Sequence, residues 1–438
     1  MEPSISVGIM SAKQIEFSLN GNFVFADQHF TGKQTADFAN GKIVFCGNEY
    51  EQISFCALDE TNSFELKNVT IGINFHWEQQ ENQRFEGDLK LIAENDEITV
   101  INIIKVEKYL LSVISSEMSA GAPLEFLKAH AVISRSWLLA NLTEQNHANK
   151  TNNELLISDL SNKNRYIKYY ERDNHISFDV CADDHCQRYQ GTTRATTHAV
   201  RQAIESTRGE VLMYENQICD ARFSKCCGGA SEIFENCWAD VNYPYLTKVI
   251  DNKAITNEIS SDLSIEQNAR EWINSSPASF CNTSDKKILS QILNNYDKET
   301  DDFFRWTIVY SQKQISEIIA KKSGIDFGNI LDLIPVKRGV SARIVELEIV
   351  GTKRQMIVGK ELEIRRWLSE THLYSSAFTV DKKDIADGIP QQFILTGAGW
   401  GHGVGLCQTG AAVMGAKGYP YSEILRHYFI NIELAKLY

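Results

Sequence analysis

The chain has 438 residues, 43% of them hydrophobic and 23% charged, a globular profile that excludes disorder, collagen and low-complexity repeats. Lys plus Arg number 44 against 57 Asp plus Glu, a formal net charge of −13. That balance argues against a general nucleic-acid binder and against a basic patch held on anionic lipid.

Residues 1–105 read as a β-rich region. Stretches at 5–9, 15–19, 42–46, 53–57 and 98–105 alternate or run apolar, and Asn20-Gly21 and Asn40-Gly41 predict tight turns. The period then changes. Apolar residues at 106, 110, 113, 114 and 118 predict an amphipathic helix. Pro123 suits the first turn of a second helix that reaches about Leu142. Residues 144–174 read as polar loop with some helix, 195–207 as a helix, and 210–214 and 221–224 as strands. Residues 251–305 form an Asn/Ser/Asp-rich insertion of weak pattern. Beyond it, 311–322, 359–368 and 422–429 predict helices, and 340–350 and 354–358 strands. The non-alternating order predicts an α+β fold, with helices and largely antiparallel strands around a substrate groove. The expected organisation is a β-rich region (1–105), a core with a Cys/His cluster (106–250), the insertion (251–305) and a C-terminal part of the core (306–438).

No stretch approaches the ~20 apolar residues of a membrane-spanning helix. The opening Met1-Glu2-Pro3-Ser4 has neither the basic stretch nor the apolar core of a secretion signal. Two expectations remain, an intracellular protein or an exported one whose leader is absent from this form.

Three segments carry chemistry. In the first, Glu117 ends the first helix, and the next helix places Lys128 and Arg135 seven residues apart on one face. A carboxylic acid at such a junction can protonate a leaving oxygen; a solvated helix-end glutamate is the alternative. In the second, residues 397–405 have Gly at every second position around Trp400 and His402, with Gln408 just beyond. An extended run of that kind presents a bare face, suited to a substrate groove or to close packing on another backbone. No preceding βα unit or Gly-Lys-Ser/Thr accompanies it, which excludes a nucleotide fingerprint. In the third, His175, Cys181, His185 and Cys186 offer enough donors within twelve residues for a tetrahedral zinc. A Cys181–Cys186 disulfide or plain buried thiols are the alternatives. Six of the ten cysteines fall between 181 and 237.

Taken together, these segments resemble the SpoIID/LytB family of bacterial cell-wall proteins. The resemblance rests on residues 107–118 and 125–137, the Cys186-Gln187-x-Tyr189-x-Gly191 string, the block at 227–232, the weaker one at 364–378, and residues 397–411. It departs where Trp137 replaces a Tyr, Ser119 a Pro and Cys407 a Ser. The resemblance implies a lytic transglycosylase acting on peptidoglycan glycan strands, or a protein that enhances a cell-wall amidase. It maps the acid onto Glu117 and supporting roles onto Lys128 and Arg135. Substrate contacts are expected from Tyr189, Trp400, His402 and Gln408, zinc at the His/Cys cluster, and a cell-envelope location, periplasmic or exported. A structural metal protein of the envelope is the third class.

Overall fold

The computed structural model describes residues 1–73, 78–118, 121–148, 164–169, 175–183, 185–193, 197–253, 262–292 and 303–438. Contacts divide the chain into two units: Met1–Gln145 with Asp173–Val211 and Ala435–Tyr438, and Asn146–Arg172 with Leu212–Leu434.

In the first unit, the alternating N-terminal sequence forms ten strands: β1 (Ser4–Ala12), β2 (Gln14–Phe25), β3 (Gln28–Ala39), β4 (Lys42–Phe45), β5 (Asn48–Tyr50), β6 (Gln52–Ala57), β7 (Ser63–Ile71), β8 (Gln79–Glu86), β9 (Asp88–Glu94) and β10 (Glu97–Lys105). They join one sheet in the order β1-β10-β9-β6-β2-β3-β4-β5, with β7 and β8 branching from β2 and the short Val180–Cys181 strand parallel to β1. Phe17, Phe25, Phe30, Phe45 and Phe55 stack on one another across its inner face. Asn40-Gly41 makes the expected hairpin, both residues at positive φ (52° and 78°). Asn20-Gly21 does not. It lies inside β2, where the register slips between Leu19 and Phe23. Gly21 has φ 107°, and a Cβ there would overlap the Asn62 side chain, so this Gly serves a bulge rather than a turn.

β10 runs straight into α1 (Val106–Glu117), which is followed by α2 (Leu124–Ala148) and later by α3 (His198–Ser206), capped by the Thr197 side chain. α1 is buried well beyond a single stripe, since Glu107, Ser112, Ser115 and Ser116 are enclosed along with its apolar residues. The expected amphipathic helix is therefore a core helix; its serines are small enough to sit against close neighbours. α2 runs past the expected end at 142, and residues 129–141 are buried throughout. A helix enclosed on all sides can carry few charges, and Arg135 has a specific partner, described below.

Two larger sheets lie in the second unit, beside a short parallel pair of Phe223–Ser224 with Leu406–Cys407. Residues Arg165–Ile167, Gln355–Gly359, Ile344–Gly351 and Ile330–Arg338 form one in that spatial order, and Arg305–Ser311, Ile389–Ala398 and Phe378–Ala386 form the other. α4 (Glu266–Asn274), α5 (Lys286–Ile292), α6 (Gln312–Ser323), α7 (Glu361–Trp367), α8 (Gln408–Ala416) and α9 (Tyr421–Tyr428) complete it. α6 starts on a full Ser311/Gln314 capping box and ends on Gly324 at φ 72°. Ile315 and Ile319 of α6 share a core with Leu347, Ile364, Trp367 and Phe393.

The stretch at 251–305 is only in part the unpatterned insertion that its composition suggests. Its described residues include α4 and α5. Leu263, Ala269, Trp272 and Ile273 pack with Ala230, Ala342 and Ala398 in a second core. Within the polar stretch at 144–174, residues 149–163 and 170–174 lie outside the described ones, and 165–167 form a strand.

Candidate functional site

Glu117 is the last residue of α1 and is half-buried, between the enclosed Ser116 and Met118. Its Oε1 accepts a hydrogen bond from the Arg188 backbone N–H at 3.0 Å. Arg188 belongs to the loop that follows Cys186, and this loop is fastened to the two helices at several points. Gln190 N–H donates to Ser112 Oγ (3.0 Å), Gln187 Nε2 to the Ser134 carbonyl (3.4 Å) and Tyr109 Oη to Gln187 (3.4 Å). The acid is thus oriented by a loop that α1 and α2 themselves anchor.

Residues expected around Glu117 take other positions. Lys128 pairs with Glu125 one turn earlier on α2 (2.6 Å). Arg135 is completely enclosed. Its Nε and Nη2 bind the Glu107 carboxylate at 3.0 and 2.6 Å, and its Nη1 donates to the Glu210 carbonyl at 3.0 Å. Glu107 also accepts from Gly209 N–H (3.1 Å) and Tyr438 Oη (2.7 Å). A two-pronged buried pair with its remaining oxygen sites filled holds elements together. Tyr189 is 1% exposed, stacks on Tyr109 (5.0 Å) and donates to Asn102 Oδ1 (2.6 Å). Burial pushes its phenol far above the usual range. An enclosed ring with its hydroxyl satisfied supports the core under the loop rather than a sugar.

The loop before Arg188 gathers the expected donors. Cys186 Sγ lies 3.4 Å from His175 Nε2 and 3.4 Å from His185 Nδ1, and Cys181 Sγ lies 3.8 Å from His185 Nδ1. All four donor atoms lie within 4.8 Å of one another, so the set could hold a metal ion. The Cys186 thiol first, then the two imidazoles, hold the Cys181 thiol well below its ordinary value; a cluster that stabilises a thiolate suits a cation. A cavity of about 290 Å³ opens beside it, walled in part by Met10, Thr99, His185 and Arg188.

In the second unit, the glycine run is not extended. Gly397 is next to last in a strand that ends at Ala398, but Gly399, Gly401, Gly403 and Gly405 have φ of 76°, 90°, 77° and 73°. Each non-glycine between them is followed by a left-handed residue, so the chain winds instead of alternating faces. A Cβ on Gly403 would overlap the Arg343 guanidinium, and one on Gly405 the Arg222 carbonyl. Between packing and a substrate face, these positions favour packing. Trp400 is stacked between Phe303 (4.8 Å) and Tyr374 (4.6 Å), and its backbone pairs with Cys226. His402 Nδ1 accepts from Val404 N–H (3.0 Å), and its ring meets Trp238 edge-on (4.7 Å). Burial first, then the charges of Arg222, Arg343 and Arg365, hold this imidazole well below its usual pKa, hence neutral. Gln408, at the start of α8, is 3% exposed.

Sequence reasoning missed three features here. Glu232 is fully buried and accepts from Ile233, Val340 and Ser341 N–H, the Ser341 hydroxyl and Asn236 Nδ2. Arg343 ties the Gly401 carbonyl to those of Cys227 and to Ser341. A second set of metal-type donors, Cys227, Asp251, Cys281 and Cys407, is buried. Their sequence separations, up to 180 residues, gave no local signal; only the surplus of cysteines pointed that way.

The family described as Stage II sporulation protein, SpoIID, matches residues 94–214, and a domain of unknown function, DUF8618, matches residues 232–405. An uncharacterized protein of Brachyspira hyodysenteriae is 26% identical over 80% of this chain and 72% of its own length. The Stage II sporulation protein D of Bacillus amyloliquefaciens is 22% identical over 76% of this chain and 75% of its own. The amidase enhancer of Bacillus subtilis is 25% identical over 52% of this chain but only 31% of its own length. The SpoIID match covers α1, α2, Glu117 and the His/Cys loop, so the chain carries a SpoIID-family domain at residues 94–214.

Proposed function

We propose that the protein acts on the cell wall as a lytic transglycosylase of peptidoglycan glycan strands, with Glu117 as its acid and base. The observation that carries this reading is a half-buried carboxylate at a helix end, oriented by the Arg188 N–H and adjoining a loop with a cavity beside it. Hydrolytic glycosidases use two carboxylates, one to protonate the leaving oxygen and one to attack or to activate water. A transglycosylase needs one. Glu117 gives its proton to the glycosidic oxygen as the bond to C1 breaks. As carboxylate it then takes the proton of the muramoyl C6 hydroxyl, whose oxygen bonds to C1 and leaves a 1,6-anhydro sugar. Because that nucleophile is part of the substrate, no second carboxylate has to position a water.

His175, Cys181, His185 and Cys186 would hold zinc, two nitrogens and two sulfurs filling a tetrahedral shell. A four-ligand zinc is structural: it would fix the 185–190 loop, and so the N–H that orients Glu117. Elemental analysis of protein purified without chelator should find zinc, one equivalent of which is lost on His175→Ala; absence of metal in the unmodified protein would contradict this assignment. An exported or periplasmic location goes with the same reading.

The test is incubation of the protein and Glu117→Gln with purified, peptide-stripped glycan strands, followed by mass analysis. Gln keeps the acceptor for Arg188 N–H, so folding should persist while anhydro-sugar products fall by about 10²–10⁴-fold. The amidase enhancer among the relatives favours a second reading, in which the protein stimulates a cell-wall amidase. Stimulation of an amidase that survives Glu117→Gln, with no cleavage by either form, would favour it.

A further inference from the structure

We infer that Cys227, Cys281, Cys407 and Asp251 form a second, wholly buried site for a thiophilic divalent cation of the zinc class. The four donor atoms lie within 4.8 Å of one another, and all four residues are buried. Cys227 Sγ and Cys281 Sγ are 3.7 Å apart. Two sulfurs on a tetrahedral zinc, each at about 2.3 Å, stand about 3.8 Å apart, the separation this pair has.

The surroundings are those of a ligand set. Asp251 Oδ1 accepts from Tyr428 Oη (2.6 Å) and Oδ2 from Cys281 N–H (2.7 Å), while Cys407 Sγ accepts from Cys227 N–H (3.2 Å). Such bonds orient ligand atoms and leave lone pairs for a metal. Asp251 is 1% exposed, and among the described residues no Lys or Arg pairs with it; His427 approaches to 3.8 Å. A buried carboxylate beside three thiols, with an imidazole as its one nearby titratable base among the described residues, is compensated by a positive ion among the four donors. Arg305, whose Nη1 donates to the Gly228 carbonyl, contributes a positive charge near Cys227 and Cys281, which offsets the excess negative charge of a three-thiolate, one-carboxylate shell. Space for Asp251 is left by Gly410, where a Cβ would run into the carboxylate and Tyr428 Oη.

The donors come from four separate segments: the residue before Gly228-Gly229, the residue after Ile250, the turn after α4 and the residue that caps α8. A cation here would fasten all four, with proton release from the thiols on binding. Cys226 is also buried, and its thiol contacts those of Cys281 and Cys407, but it is not one of the four converging donors.

The test is metal content and Co²⁺ absorption of the full chain, loaded with Zn²⁺ or Co²⁺ under reducing conditions, compared with Cys281→Ser, Asp251→Asn and Cys226→Ser. Cys281→Ser should hold one equivalent fewer than the unmodified protein and lose part of the thiolate-to-cobalt absorption. Its affinity loss should exceed the about 10–100-fold typical of removing a group that merely supports a ligand. Asp251→Asn should weaken the same equivalent, and Cys226→Ser should keep it. Should Cys281→Ser fail to fold, Cys407→Ser, which keeps a small polar side chain, takes its place. Equal metal content in Cys281→Ser and the unmodified protein would overturn the proposal. So would loss through Cys226→Ser with retention in Asp251→Asn, or a Cys227–Cys281 disulfide, two hydrogens lighter, in unreduced protein.

Discussion

The α1–α2 block and the glycine-rich block are the two most recognisable stretches of the sequence, and they put their polar residues to opposite uses. In the first, one carboxylate, Glu117, stays half-open while the neighbouring charges are neutralised inward: Arg135 by Glu107, Lys128 by Glu125. In the second, the side chains that looked like substrate contacts are taken up by protein neighbours, with Gln408 enclosed and Trp400 and His402 half-buried against aromatic rings. His402 is neutral between an N–H and an indole, Trp400 is sandwiched, and Gln408 is enclosed. A motif rich in chemically able residues can therefore be mostly architecture. What separates the two is the set of neighbours each side chain meets, which a residue string does not display.

Variants can break or sharpen this contrast. The largest expected effect is Arg135→Met, which strands Glu107 in the interior and should cost about 3–5 kcal/mol in urea unfolding. Adding Glu107→Gln should recover a good part of that; no recovery would mean that Arg135 acts through something other than this pair. Gly403→Ala comes next. It combines a left-handed φ of 77° with overlap on Arg343, and should lose more than the about 1–2 kcal/mol that the backbone conformation alone costs. Gly41→Ala, at φ 78° with open space around it, supplies that backbone cost by itself; equal losses would show that the loop is loosely packed.

His402→Ala should lower stability by about 1–3 kcal/mol, because Val404 N–H loses its acceptor. Retained stability with lost cleavage would return His402 to the substrate. The smallest effect is on pH. Burial, then neighbouring arginines and lysines, hold His372 down to about 4, and His402 is lowered too. Between about 4 and 6.5 the unfolded chain binds protons that the folded one refuses. Their contribution is complete above pH 6.5 and declines as pH falls toward 4. Unfolding midpoints measured across that window should drop on acidification, and less so in His372→Gln.

Much of this arrangement was legible in the residues. β1, β2, β4, β6 and β10 of the N-terminal sheet, with α1, α2, α6 and α9, announce themselves through period, caps and turn residues, whereas the more polar β3, β5, β7, β8 and β9 do not, and the His175–Cys186 donors lie close enough in sequence to be read as a set. Other features were hidden for physical reasons. Asn20-Gly21 carries turn chemistry, yet Leu19 and Phe23 pull it into β2 by burying on the sheet. The alternating glycines suggest a strand, but alternation says nothing about the sign of φ. The Glu107–Arg135 pair and the Cys227, Asp251, Cys281 and Cys407 cluster depend on how distant segments meet, and no local pattern encodes that. α4 and α5 were hidden because they arise from a polar stretch with only a few apolar anchors, Leu263, Trp272 and Leu289 among them.

The winding glycine segment has a consequence for hydrogen exchange. Five of its amides have acceptors: Gly399 the Phe304 carbonyl, Trp400 that of Cys226, Gly401 that of Tyr374, Val404 the His402 Nδ1 and Leu406 the Arg222 carbonyl. In return the Gly401 and Gly403 carbonyls accept from Arg343 and from Glu232 N–H. A stretch that secondary structure would class as irregular should therefore keep its deuterium-free amides about as long as the strands beside it. Loops usually exchange at the low-stability end of a protein; this one should open only when the second unit does.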